Sequence, residues 1–201
     1  MIERRSALAA HPMLQSGKRV GPFWEVTAPV TLSERWPLSI LQVSAFARTV
    51  DEAGARLGAA LGLAPPAPNR YSGDRRKSMR AIGPGVWQVV GMDGVLPQAD
   101  ALRATLAGAA TVVDLSQART ALQVCGVAAA STLAKHCGLD LHATQFPGGS
   151  ATNTRFGHIG MTLARIDDAP TFELLVFRGY AEFVFESLVE AASEFGLLIS
   201  T

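Results

Sequence analysis

From Glu182 onward, a glutamate stands at every fourth position: Glu182, Glu186, Glu190 and Glu194. Interleaved with them, Tyr180, Phe183, Val184, Leu188, Ala191, Ala192 and Phe195 read as an apolar face. A period near 3.6 sorts the two sets onto opposite sides of one amphipathic helix. Gly196 supplies the stop, and Leu197 to Ser200 reads as a short closing strand. A helix with one dry side needs a surface to lie on. The strands Thr154 to Ile166 and Thr171 to Phe177 provide it, flanking Asp167-Asp168-Ala169-Pro170, a hairpin-turn signal. The C-terminal third is therefore a sheet with a helix laid across it, which places the chain in the α+β class.

The same grammar runs upstream. Leu38 to Ala47 reads as a strand, and Thr49 with Glu52 has the capping-box spacing. Val50, Ala53, Leu57 and Leu61 recur at helical spacing before Gly62, and Ala64-Pro65-Pro66-Ala67-Pro68 forbids any continuation. Tyr71 to Arg80 reads as a polar surface segment. Strands Ser78 to Ile82 and Val86 to Val90 are joined by Gly83-Pro84-Gly85. Leu96, Ala99, Leu102 and Leu106 mark a helix ending near Gly108, and strands Thr111 to Leu115 and Thr120 to Cys125 follow. This is the order of the split βαβ, ferredoxin-like unit. The strand Thr120 to Cys125 then runs into a helix over Val127 to Cys137, and the pattern begins again. The fold expected is two fused ferredoxin-like units, about 36–125 and 120–201, within one domain over 36–201. Residues 1–35, with Pro12, Pro22, Pro29, Gly17 and Gly21, read as an irregular N-terminal arm. Phe23, Trp24 and Trp36 in or beside it demand burial, either against their own domain or against a neighbouring chain.

Composition narrows the function. Hydrophobic residues make up 48% of the 201 and charged residues 17%, against about 25% charged in an ordinary domain. Disorder needs the opposite balance. The longest stretch free of charge, Thr120 to Ala134, is shorter than the roughly 20 apolar residues that span a bilayer. A net charge of +1 lacks the basic excess of a dedicated nucleic-acid binder. Cys125 and Cys137 are too few for a disulfide framework. Arg4 and Arg5 are followed by His11, Gln15, Lys18 and Arg19 rather than by an apolar leader core, so the cytoplasm is the expected compartment. A chain with so little charge is expected to cover part of its surface with partners.

No constellation of residues carries convincing chemistry. His136, Cys137, Asp140 and His142 lie close in sequence, but adjacent His136 and Cys137 diverge by about 100° on a helix and chelate poorly. A thiol with His158 as base lacks an electropositive setting. Gly148-Gly149-Ser150 lacks the Lys-Ser/Thr of a phosphate loop. Arg70, Arg75, Arg76, Lys77 and Arg80 form the basic cluster, interrupted by Asp74, with Tyr71 available to stack on a base. It reads as a solvated loop, with an acidic partner surface or nucleic acid as the alternatives. The glutamate stripe and Asp167-Asp168 are a wet helix face and a turn, without the apolar setting that raises a carboxyl pKa for acid–base work. No catalytic, cofactor-binding or metal-binding residue is assigned.

Three stretches carry a family resemblance. They are Val113-Asp114-Leu115-Ser116-Gln117-Ala118-Arg119 with Leu122, Val124 and Gly126; Leu133 to His142 followed by Phe146-Pro147; and Ala169 to Leu174 followed by Arg178-Gly179-Tyr180-Ala181 and Ala192 to Gly196. Their order and spacing resemble the gamma subunit of heterotetrameric sarcosine oxidase, from about Trp87 to the C-terminus. The Asp114-Leu115-Ser116 segment is also similar to the folate-binding aminomethyltransferase, or T-protein, fold.

The resemblance implies a cytoplasmic assembly with alpha, beta and delta chains. Such an assembly demethylates sarcosine oxidatively to glycine, yielding hydrogen peroxide and formaldehyde or 5,10-methylenetetrahydrofolate. FAD, FMN, NAD, tetrahydrofolate and zinc are implied in the partner chains, and no cofactor in this one. The gamma chain's implied role is structural, with Trp24 and Trp36 as candidate interface anchors. Three alternatives stay open: a structural adaptor without any oxidase partner, the equivalent subunit of another amine-oxidising complex such as N-methylglutamate dehydrogenase, or a freestanding folate-binding protein. For the last, Asp114 is the nominated pterin carboxylate, against a plain turn role.

Overall fold

A computed structural model describes residues 6–14, 17–24 and 26–200. Arg4, Arg5 and Gln15, used above in the leader argument, lie outside the described residues. In chain order the strands are β1 (Lys18–Val20), β2 (Val30–Arg35), β3 (Leu38–Ala45), β4 (Tyr71–Gly73), β5 (Lys77–Gly83), β6 (Val86–Met92), β7 (Ala110–Asp114), β8 (Arg119–Cys125), β9 (Ser150–Phe156), β10 (Ile159–Asp167), β11 (Thr171–Phe177) and β12 (Leu197–Ser200). The helices are α1 (Val50–Leu61), α2 (Ala99–Thr105), α3 (Ala129–Ala134) and α4 (Ala181–Ser193). Two compact units result. One, inner in sequence, comprises Pro37–Ala118 with Gly149–Thr152, and the outer one comprises Met1–Trp36, Arg119–Gly148 and Asn153–Thr201.

In the inner unit the sheet order is β4-β5-β6-β3-β7, and every neighbouring pair is antiparallel. β3 and β5 therefore run the same way with β6 between them, the split βαβ arrangement. Alternate residues point to opposite faces of a strand, so Leu41, Val43, Met79, Trp87 and Val89 share one core with Ala53, Leu57 and Leu61 of α1 and Leu102 of α2. Gly62 ends α1 in the left-handed region at φ 64°, as its position after Leu61 anticipates. The capping box does not form. Thr49 Oγ1 donates instead to the carbonyls of Phe46 (3.1 Å) and Ala109 (2.7 Å), and Glu52 pairs with Arg56 one turn on. The hydroxyl thus ties the start of α1 to the segment entering β7. The supposed polar surface segment from Tyr71 to Arg80 is also corrected: it holds β4 and half of β5, with Arg80 only 1% exposed.

The outer sheet has the order β1-β12-β2-β8-β11-β10-β9. β8, β10, β11 and β12, with α3 and α4, repeat the wiring of the inner unit, but β2 is inserted between β12 and β8. It pairs parallel to β12 and antiparallel to β8. Residues 1–35 are therefore not without regular structure, since both β1 and β2 fall there. β8, read as a strand common to two units, is a member of the outer sheet. The long strand Thr154 to Ile166 is in fact β9 and β10, divided at Gly157, whose φ of 57° reverses the chain. The expected helix Val127 to Cys137 keeps only α3 as regular helix.

α4 buries Val184, Phe185 and Leu188 in one core with Leu122, Phe172 and Leu174, each such side chain contributing about 1.5–3 kcal/mol. Among the described residues no helix is long and apolar enough to cross a membrane.

Candidate functional site

The surface side of α4 departs from the amphipathic reading. Tyr180 and Phe183, placed above on the dry face, are 51% and 58% exposed, whereas Phe185 and Val189 are buried. Phe183 sits three residues before Glu186 and seven before Glu190, the spacing that shares a helix face. An exposed aromatic therefore stands in the middle of the glutamate stripe. Beside it opens a cavity of about 390 Å³ lined by His136, Phe156, Gly157, His158, Ile159, Tyr180 and Phe183. The His136 ring stacks on Phe156 at 4.5 Å between centroids and 21° between planes, and the Gly157 amide donates to the His136 carbonyl at 2.7 Å. These contacts join Phe156 and Gly157 to His136 along one wall of the cavity.

Part of the glutamate stripe has partners within the chain. Lys135 pairs with Glu194, donates to the Ala191 carbonyl and lies over the Phe195 ring. His11, buried under the helix, approaches Glu186 at 3.3 Å and Glu182 at 4.0 Å. These three residues bring their ligand-type atoms within 4.8 Å of one another. The imidazole is not presented to a metal, however. The Met13 amide donates to Nδ1 (3.2 Å), which leaves the ring proton on Nε2, pointing at the Glu186 carboxylate. Glu190 has no ion-pair partner among the described residues.

The inner unit holds a second, larger cavity of about 710 Å³. Trp87, Pro65, Pro84, Val50 and Gly54 contribute apolar walls, and Asp51 and Asn69 are its polar side chains. A Cβ on Gly54 would come within 3.2 Å of Trp87, so the bare glycine lets the indole lie close to α1. The lining includes no thiol, hydroxyl nucleophile or imidazole.

Both sheets also carry buried polar residues on the face away from their cores. In the inner sheet these are Ser78, Arg80 and Gln88, at 3%, 1% and 0% exposure. In the outer sheet Glu173 is fully buried and ion-paired with Arg35. Arg119 lies with its guanidinium 3.7 Å over the Phe177 ring, and burial pushes its pKa below the usual arginine range. Sequence reasoning missed this polar layer. Its signal was the interleaving of Ser78 and Arg80 with Met79 and Ala81, the mark of a strand covered on both faces.

The residues weighed for chemistry are dispersed. Cys137 is buried, its Sγ 3.8 Å from Thr154 Oγ1, while Asp140 accepts the His142 amide and His142 turns to Thr144. His158 joins the small cavity with His136, without either cysteine in its lining. Cys125 Sγ accepts from Gln123 Nε2 at 2.9 Å. At Gly148-Gly149-Ser150 the Gly148 amide donates to Asp168 Oδ1 (3.3 Å), which places a carboxylate where an anion would have to sit. The basic cluster is divided, with Arg70, Arg75 and Arg76 exposed and Arg80 buried. Arg70 bonds Ser150 Oγ, Lys77 reaches the Leu61 carbonyl, and Arg80 is internal. Asp114 accepts the Ser116 amide at 2.9 Å, the turn role. Of the candidate anchors, Trp36 is 50% exposed. Trp24 is half-buried and lies where a side chain on Gly196 would have to go.

No curated protein sequence matches the chain. The sarcosine oxidase, gamma subunit family, in contrast, matches over residues 45–194. This chain belongs to that family. A solved chain of the heterotetrameric sarcosine oxidase from Corynebacterium sp. U-96, in complex with pyrrole 2-carboxylate, superposes with a TM-score of 0.80. The two are 29% identical, and the match covers 96% of each. The family match thus leaves out the first 44 residues, which the structural match largely takes in. The glycine cleavage system aminomethyltransferase T from Bartonella henselae shares the fold at TM-score 0.59 and 17% identity, with 94% of this chain and 52% of that one covered. The gamma-subunit fold is thus the fold of about half of that protein, as the fused ferredoxin-like reading anticipates.

Proposed function

We propose that this chain serves as the non-catalytic gamma subunit of a cytoplasmic sarcosine oxidase containing alpha, beta and delta partners. The assembly oxidises the N-methyl group of sarcosine to give glycine, with hydrogen peroxide and either formaldehyde or 5,10-methylenetetrahydrofolate as the other products. FAD, FMN, NAD, tetrahydrofolate and zinc reside in the partner chains. This chain contributes surface: it folds as two units, the outer one including the N-terminal strands β1 and β2, and buries apolar area of its neighbours. The observation that carries the reading is the end-to-end match with a chain of a heterotetrameric sarcosine oxidase, 96% of each at 29% identity. The separation of both thiols from the imidazoles of the small cavity is in keeping with a structural role.

The test is affinity purification of the tagged chain from its native cells. Retention of three further chains, a flavin absorbance spectrum and sarcosine-dependent peroxide formation are expected. Turnover of a secondary amine by the isolated chain would overturn the non-catalytic role. Retention of a complex that consumes a different amine would reassign the substrate.

A further inference from the structure

We infer that the outward face of α4, with the cavity beside it, is the docking surface for a basic segment of another subunit, whose large apolar side chain enters between Tyr180 and Phe183. The inference rests on the gamma-subunit reading and gives that partner a chemistry. A phenylalanine is ordinarily among the most buried residues, and leaving Phe183 at 58% exposure forgoes much of the roughly 1.5–3 kcal/mol its burial supplies. Two exposed aromatics at the mouth of a preformed apolar cavity of about 390 Å³ are the ingredients of an interface anchor site. The cavity wall is already held by the His136–Phe156 stack, so a partner side chain enters without first ordering the site.

The rim determines which partner fits. Glu182, Glu186 and Glu190 surround Phe183 on the exposed side of α4, and their countercharges are few. Lys135 serves Glu194, His11 approaches Glu182 and Glu186 from below, and Arg178 donates to the Ser6 carbonyl. A carboxylate such as Glu190, with no partner among the described residues, repels an acidic chain and attracts Lys or Arg. Rim charges of this kind steer and select, while the apolar anchor supplies affinity. The occupant is therefore a Lys/Arg-flanked segment bearing a leucine, phenylalanine or tryptophan.

The experiment uses the whole assembly, co-expressed with Phe183→Ala or Glu190→Lys in this chain and compared by retention of the chain over a dilution series. F183A should weaken retention about tenfold or more. E190K should weaken it at low ionic strength, and the deficit should shrink as salt shortens the Debye length from about 10 Å to about 3 Å. Both positions are exposed, so the thermal unfolding curves of the isolated variants should overlay the parent's. If both variants assemble like the parent, this face is not the docking surface and the gamma-subunit reading survives. If the parent itself fails to join a flavin-containing complex, the gamma-subunit reading falls and this inference with it. Loss of a self-associated dimer in F183A, with the complex intact, would make the occupant a second copy and overturn the basic-segment assignment.

Discussion

The inner and outer sheets share one wiring and resolve the same problem differently. In each, two helices cover one face, and the other face carries buried polar groups at corresponding positions. Gln123 on β8 lies opposite Glu173 on β11, and Gln42 on β3 lies opposite Gln88 on β6. The outer sheet has a strand that the inner one lacks. β2 stands between β12 and β8, whereas β7 and β3 pair directly. That strand carries Arg35, which closes the polar layer by pairing with Glu173. In the inner sheet, neither side-chain amide atom of the fully buried Gln88 has a hydrogen-bond partner among the described residues. An inserted strand therefore does more than widen a sheet: it delivers the charge that makes a buried carboxylate tolerable.

The largest effect should come from breaking that pair. Breaking a buried ion pair by removing one partner typically costs about 3–5 kcal/mol. Arg35→Ala should therefore lower the urea midpoint of the outer unit's unfolding by that equivalent. A loss below about 1 kcal/mol, in the range of an exposed pair, would mean that Glu173 is satisfied without β2, and the contrast between the sheets would collapse.

The inner sheet should respond with the opposite sign. An unmet buried amide costs about 1–3 kcal/mol, so Gln88→Met, close in volume and without polar atoms, should raise the melting temperature. A lower one would show that the Gln88 amide has a partner that the apolar side chain cannot replace.

How far this architecture could be read in advance depended on whether the signal was local. α1 with its Gly62 stop, the Gly83-Pro84-Gly85 connection and the Asp167-Asp168 turn are written in neighbouring residues, and they stand where expected. β2 was missed although Val30 and Leu32 alternate with polar residues. Its partners Leu197 to Ser200 and Ala121 to Cys125 are far away in sequence, and the prolines around it suggested loop. Arg80 was missed because a charge among charges reads as solvated, yet it lies in a strand covered on both faces. Phe183 was grouped with its hydrophobic neighbours by type, although its helical neighbours are Glu186 and Glu190. Of the candidate site, sequence reasoning held the pieces His136, His158, Tyr180 and Phe183. It had no means of bringing them together, because the Gly157 reversal that assembles the cavity was read as continuous strand.

The smallest effect tests the turns rather than the sheets. In the inner unit Asp74 accepts the amides of Arg76 (2.8 Å) and Lys77 (3.0 Å) where β4 turns into β5. Its counterpart in the outer unit, Asp168 at the β10–β11 turn, accepts the Gly148 amide at 3.3 Å. The Lys77 amide above all, and then that of Arg76, hold the Asp74 carboxyl below its ordinary value of 3.8. A carboxyl whose pKa is lower in the folded than in the unfolded chain binds fewer protons when folded. Its stabilisation is therefore complete above the unfolded value and disappears as pH falls through the folded one. Asp74→Ala should accordingly unfold at a lower urea concentration than the parent at pH 7, and the two midpoints should converge as the pH drops below 3.8. Asp74→Asn, which keeps an acceptor oxygen but cannot ionise, should lie between them at pH 7. A gap between parent and alanine variant that stays constant through the acid range would show that the turn is held by the shape of its backbone and not by the carboxylate.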